Sequence, residues 1–248
     1  MDHHKKNPYF SSTLSYLIEK SNLIKSLKSP GSLPNPDHPK ISNQNRGKII
    51  HWLAETSQSL SIPTRTIQLT ISYIDLFLTL KQVPDQPSLE LVTYACLSLA
   101  LNYEENREVC LSGIKTPNAQ NLESNKIRAT QLFILNAFDW KLDHPTPNEI
   151  VEMLIYEFCE EFDSRKILEH AENFIWIALE MFETSKESAG CVGVAGCVCC
   201  FQSLGMKEFC EEWVRRVCGK YEISVREVGR IVVVVLEKVE CYKRMMGK

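Results

Sequence analysis

The chain has 248 residues, 44% of them hydrophobic, and a formal net charge of −3. It can bury one large core or two smaller ones, and its weakly acidic balance opposes nucleic acid as the main partner, although residues 1–48 carry eight Lys/Arg against three Asp/Glu. No uninterrupted apolar run approaches the roughly 18 residues of a membrane span, and the opening MDHHKKNPYF lacks the apolar stretch of a signal peptide, so a soluble intracellular protein is expected.

Residues 1–43 combine one apolar-periodic stretch, Tyr9 to Leu27, with the breaker-rich SPGSLPNPDHPK, which predicts a short helix and a linker. From Gln44 onward apolar residues recur every three or four positions, the helical period. The first helix of this part runs from about Gln44 to Leu60, with Ile49, Ile50, Trp52 and Leu53 as its apolar stripe. Pro63 and Thr64 punctuate the chain, a second helix reaches about Lys81, and Pro84 and Pro87 close the next connection. The third, Ser88 to about Glu104, is apolar on nearly every side and belongs in the middle of its domain. A short fourth helix is predicted near Arg107 to Ile114 and a fifth from about Ser124 to Phe138, before DHPTP breaks the pattern. Five further helices follow at roughly 147–162, 165–184, 187–203, 206–219 and 224–245. The β-branched run in IVVVVLE favours a strand by itself, but its flanks keep helical spacing, so it is read as helix.

In each half the third helix is the most apolar. An all-α fold of two five-helix domains in tandem is therefore predicted, with boundaries 1–43 for the N-terminal segment, 44–143 for the first domain and 144–248 for the second. Eight of the ten cysteines lie after residue 150, and Cys191, Cys197, Cys199 and Cys200 sit among Gly, Val and Ala. Reduced cysteine in such a segment is a small apolar residue, and CVCC lacks the second spaced pair of a zinc site, so no metal or cofactor is expected.

Several segments resemble the cyclins. NRGKIIHWLAE (45–55) is similar to the opening of a cyclin box, ISYIDLFL (71–78) to its second-helix signature, YACLSLALNYEEN to its third, and FDWKLDHPTP to the end of the fifth helix and the linker to a second box. The resemblance covers about 44–245, and ACLSLA, ISYIDLFL and DWKLDHPTP are most similar to plant D-type cyclins, although the Leu-x-Cys-x-Glu motif frequent near their start is absent.

The resemblance implies roles for particular residues. Arg46 and Asp75, 29 apart, fall on the positions of a buried ion pair joining the first two helices; without the resemblance they would read as two exposed charges. The kinase-facing edge would comprise Asn102, Tyr103, Gln131, Leu135, Trp140 and Leu142. Asn102 and Gln131 stand where cyclins place a Lys and a Glu, so a charged pair becomes two amides able to bond each other. Leu135 and Leu142 read equally well as core. A substrate-docking patch for Arg-x-Leu motifs would use Asn45, Lys48, Ile49, Trp52, Glu55, Leu89 and Glu90, with Asn45 and Lys48 replacing apolar residues and weakening it. An ordinary solvated face around Trp52 is the other reading.

The function implied is a non-catalytic regulatory subunit that binds and activates a cyclin-dependent Ser/Thr kinase in cell-cycle control, as a heterodimer in nucleus and cytoplasm, without nucleic-acid or membrane partners. The alternative is a cyclin-fold scaffold that no longer activates a kinase. A DNA-contacting factor is opposed by the charge and by EFCEEFD (157–163). An enzyme is opposed by the scattered His51, His144 and His170 and the lack of a phosphate loop or nucleophile elbow.

Overall fold

The computed structural model describes residues 8–28, 43–81, 83, 85–105, 122–159 and 163–247, and the regular elements among them are all helical. They are α1 (Pro8–Leu27), α2 (Asn43–Leu60), α3 (Thr64–Leu80), α4 (Gln86–Glu105), α5 (Ser124–Ala137), α6 (Pro147–Phe158), α7 (Ser164–Glu180), α8 (Ala189–Ser203), α9 (Lys207–Tyr221) and α10 (Val225–Met246). The helix predicted near Arg107 to Ile114 lies outside the described residues. None of the described helices is long and apolar enough to cross a membrane.

Two boundaries differ from the periodicity reading. The helix predicted over 147–162 ends at Phe158, where Cys159 leaves helical geometry, and that predicted over 165–184 ends at Glu180 because Met181 is extended (ψ 134°) before a single 3₁₀ turn, Phe182–Thr184. The β-branched run of α10 is helical for a visible reason: Val228, Ile231, Val232 and Val235 are buried at helical spacing while Val233 faces water.

The chain divides into two compact units. The N-terminal unit spans Ser26–His144 with Glu180–Lys186. Its α3 buries nearly every residue from Thr66 to Phe77, as much as α4, which packs against it. Threonines inside this core satisfy their hydroxyls on the preceding turn: Thr70 donates to the Thr66 carbonyl and Thr93 to that of Leu89, both at 2.8 Å.

The C-terminal unit contains α6 and α8–α10, most of α7, and also Met1–Lys25. Thus α1, which the sequence places in a separate leading segment, contributes Leu14, Leu17 and Ile18 to the core built around α8. Glycines on α8 permit close approach: a Cβ on Gly196 would lie 2.6 Å from Ile175 Cγ1 and one on Gly193 3.0 Å from the Pro147 carbonyl oxygen. Side-chain caps fix the helix starts, with Thr146 and Glu149 forming a capping box on α6, and Ser188 and Ser224 accepting from the third residues of α8 and α10. The α8 cysteines are buried and free. Burial pushes the Cys191 thiol up to about 11 and Cys199 up to about 12, so both stay protonated as apolar filling. Among the described residues no cluster of His, Cys, Asp and Glu is arranged to hold a metal.

Candidate partner-binding edge

Arg46 sits in α2 and Asp75 in the middle of α3, and the two lie only 5% and 8% exposed. The guanidinium meets both carboxylate oxygens, Nη1 on Oδ1 and Nη2 on Oδ2 at 3.1 Å, the fork geometry that makes such a pair directional. It locks α2 against α3 within the N-terminal unit.

The last turn of α4 carries Asn102 and Tyr103, both exposed, and then Glu104 and Glu105. Glu104 Oε2 forms an ion pair with Arg65, 2.8 Å from its Nε, and Glu105 accepts from Thr66 Oγ1 at 3.5 Å. The first turn of α3 has Arg65 and no acidic residue, a charge placed unfavourably on the helix dipole; the α4 glutamates supply the missing negative charge from outside. They thereby fix the end of α4 that presents Asn102 and Tyr103. Nothing in the local sequence signalled this, because Arg65 and Glu104 are 39 positions apart and belong to different helices.

Helix α5 packs beside α4 with Ile134 as its one fully buried position. Gln131, half-buried, donates its Nε2–H to Ser98 Oγ of α4 at 2.8 Å. The amide pair expected between Asn102 and Gln131 is therefore not formed: Gln131 is used inward, while Asn102 faces water. Ser98 was not singled out from the sequence, since a serine in an apolar helix carries no signal of its own.

Beyond α5 the chain turns sharply, with Asp139 and Trp140 both left-handed (φ 50° and 62°) and the Trp140 N–H closing on the Leu135 carbonyl at 2.9 Å. The indole is 62% exposed, with its N–H reaching Asn136 Oδ1 at 3.3 Å. The next residues are anchored from α3: Tyr73 donates to the Leu142 carbonyl at 2.6 Å, and Ser72 Oγ is 2.9 Å from His144 Nδ1. Burial, then the neighbouring Tyr103 and Glu104, push the Tyr73 phenol well above its ordinary value, so it remains a donor. Leu135 and Leu142 are half-buried, serving core and surface at once. The edge therefore displays Tyr103, Trp140 and parts of both leucines, together with Leu132, 52% exposed, which the sequence reading omitted.

The second expected surface is not an open patch. Ile49, Trp52, Leu89 and Glu90 are all buried, leaving Lys48 and Glu55 in water, the latter 3.1 Å from His51 Nε2; the Asn45 side chain lies outside the described residues. Helical spacing explains the separation: 49, 52, 53 and 56 form the buried stripe of α2, while 48, 51 and 55 form its wet face.

Comparison with known proteins agrees with this architecture. Residues 12–143, more than half of the chain, match the family model of the cyclin N-terminal domain. Cyclin-A3-3 of Arabidopsis thaliana is 30% identical over 49% of this chain and 37% of its own length. Cyclin-D3-3 of the same plant is 24% identical over 82% of this chain and 57% of its own, so the chain spans less than two thirds of either relative. In fold, 90% of the chain superposes on 96% of a viral cyclin from herpesvirus saimiri, with a TM-score of 0.71 at 16% identity. An all-helical structure with the Arg46–Asp75 pair and a matched box over residues 12–143 places the chain in the cyclin family.

Proposed function

We propose that this chain is a non-catalytic regulatory subunit that binds and activates a cyclin-dependent Ser/Thr protein kinase in cell-cycle control. The observation that carries this reading is the α4–α5 edge, where Tyr103, Leu132 and Trp140 remain exposed on backbone held by Tyr73, Ser98 and Arg65. Exposed aromatic anchors on a fixed frame are what a docking surface needs, because they release much area from water and lose little entropy on binding. The subunit would act by preferring the kinase arrangement in which the Lys–Glu pair and the Mg²⁺-binding Asp come together, contributing differential affinity and no chemistry.

With Asn102 neutral and Gln131 committed to Ser98, the edge offers weaker polar contacts than a charged pair would. The same observation favours the second reading, a cyclin-fold scaffold that binds without activating. Docking of Arg-x-Leu peptides is proposed to be weak, since Ile49, Trp52 and Leu89 are buried. The localisation proposed is nucleus and cytoplasm.

The test is co-expression with a panel of cyclin-dependent kinase catalytic subunits, scoring complex formation and histone phosphorylation for the wild type and for Asn102→Lys/Gln131→Glu. Activation by the wild type supports the first reading. Binding without phosphorylation supports the scaffold, and no binding by either folded protein defeats both.

A further inference from the structure

Helix α1 has two unlike faces. Tyr16 and Leu23 stand 52% and 62% exposed, whereas Leu14, Leu17, Ile18 and Ser21 are buried. With Lys25, the inward set follows i, i+3, i+4, i+7, i+11 spacing, one stripe about 16 Å long. Each part of this stripe meets its complement within the C-terminal unit. The three apolar residues enter the core around α8. At Ser21 the helix passes close to Gly190 of α8, where a Cβ would lie 3.5 Å from Ser21 Oγ and 3.9 Å from Ile18 Cγ1. Ser21 donates to the Ile18 carbonyl of its own helix at 2.9 Å, so a small residue fits here and asks no bond of the seat. Lys25 Nζ closes the stripe between Glu187 at 3.1 Å and Glu227 at 2.5 Å. Arg230 also meets Glu187, so without Lys25 this end of the seat holds two carboxylates and one guanidinium, with the Glu187 side chain only 5% exposed. A second cation is needed to balance it.

We propose that the seat of α1 is an exchangeable helix-docking site, with α1 as its tethered occupant, and that a partner protein presenting an amphipathic helix of the same chemistry displaces it. The helix that fits carries apolar residues at its first, fourth and fifth positions, a small residue at the eighth, and Lys or Arg at the twelfth. The seated α1 is itself the argument for this occupant: everything the seat reads lies on one face of one helix, the anchor pattern of helix-in-groove recognition. The Glu187 and Glu227 end adds charge selectivity, because a helix with Asp or Glu at the twelfth position meets two carboxylates there. The advantage of α1 over a partner is that of a tethered ligand, an effective concentration in roughly the millimolar range. Weakening the Lys25 contacts reduces that advantage while leaving the seat intact. This surface belongs to the C-terminal unit and is independent of kinase binding.

The test uses full-length chains and a fluorescent peptide of residues 8–28 as the stand-in for a partner helix, titrated by anisotropy. A Lys25→Glu chain, whose own α1 is repelled from the seat, is expected to bind the wild-type peptide at least about tenfold more tightly than the wild-type chain does, and a Lys25→Ala chain to fall between them. The peptide carrying Lys25→Glu should lose this binding and regain it on a Glu187→Lys/Glu227→Lys chain, with folding of each chain checked by circular dichroism. In the wild-type chain, which needs no substitution, excess peptide should speed amide exchange in its own α1 while α8 and α10 stay protected. Unchanged exchange in α1, or equal binding of both peptides by a folded Lys25→Glu chain, overturns the proposal. Wild-type chain that remains monomeric on sedimentation supports a foreign partner, whereas dimers that form with rising concentration and are lost in Lys25→Glu make a second copy the occupant and overturn that assignment.

Discussion

Arg46 and Asp75 are each removed from water and bonded through both oxygens, so deleting one strands the other. Arg46→Ala is expected to cost about 3–5 kcal/mol in denaturant unfolding, several times the effect of an exposed pair such as Lys126–Glu123. A second prediction contrasts two glycines. A methyl on Gly196 meets Ile175 at 2.6 Å and the Ala171 carbonyl oxygen at 3.1 Å, whereas one on Gly229 meets nothing within 4 Å. Gly196→Ala should lose about 1–3 kcal/mol by overpacking, and Gly229→Ala should gain up to about 1 kcal/mol of helix propensity, both read from melting midpoints. Trp140 is mostly in water, so Trp140→Ala should leave stability within about 0.5 kcal/mol yet weaken association with a bound kinase at least about tenfold, measured by titration. At this scale the sequence was informative where a residue type has one plausible use. Arg46 and Asp75 could be paired by resemblance, but Gln131 had several possible acceptors and only packing selected Ser98.

Among the elements, α1 is tied to the C-terminal unit by charge as well as by its leucines. Lys25 Nζ lies 3.1 Å from Glu187 and 2.5 Å from Glu227, and Arg230 also meets Glu187. The Lys25 hydrogen bond is the main cause holding the Glu227 carboxyl below its ordinary value, with burial opposing it. For a carboxylate depressed by folding, the stabilisation is present above the ordinary value of 4.5 and is lost as pH falls through the folded-state value beneath it. The wild type should therefore lose stability below about pH 4.5 more steeply than Glu227→Gln, a difference visible in acid titration followed by circular dichroism. Helix positions were largely legible because burial imposes a 3.6-residue period that survives in any sequence. Ends were less so: Cys159 and Met181 stop α6 and α7 through backbone geometry that neither residue type advertises. The buried face of α2 was legible as a stripe, but its reading as an exposed docking patch was not sustained, because periodicity identifies a face without saying what covers it.

Across the whole molecule the same limit explains α1. Its apolar stripe was readable, yet a stripe does not name its partner, and membership in the C-terminal core depends on contacts more than a hundred residues away, such as Ile18 beside Gly190. Leu14 is completely buried there. Leu14→Ala is expected to cost about 2–5 kcal/mol, with amide-exchange protection lost in α6 and α8–α10 before α2–α5. The composition of the two units also orders events on the ribosome. The helices α2–α5 are complete in the nascent chain while α1, already synthesised, still lacks every helix against which it packs. Leu14, Leu17 and Ile18 then remain uncovered until α8 emerges, so from its own synthesis until that point α1 is a chaperone-accessible apolar segment, and its concealment marks assembly of the core around α8.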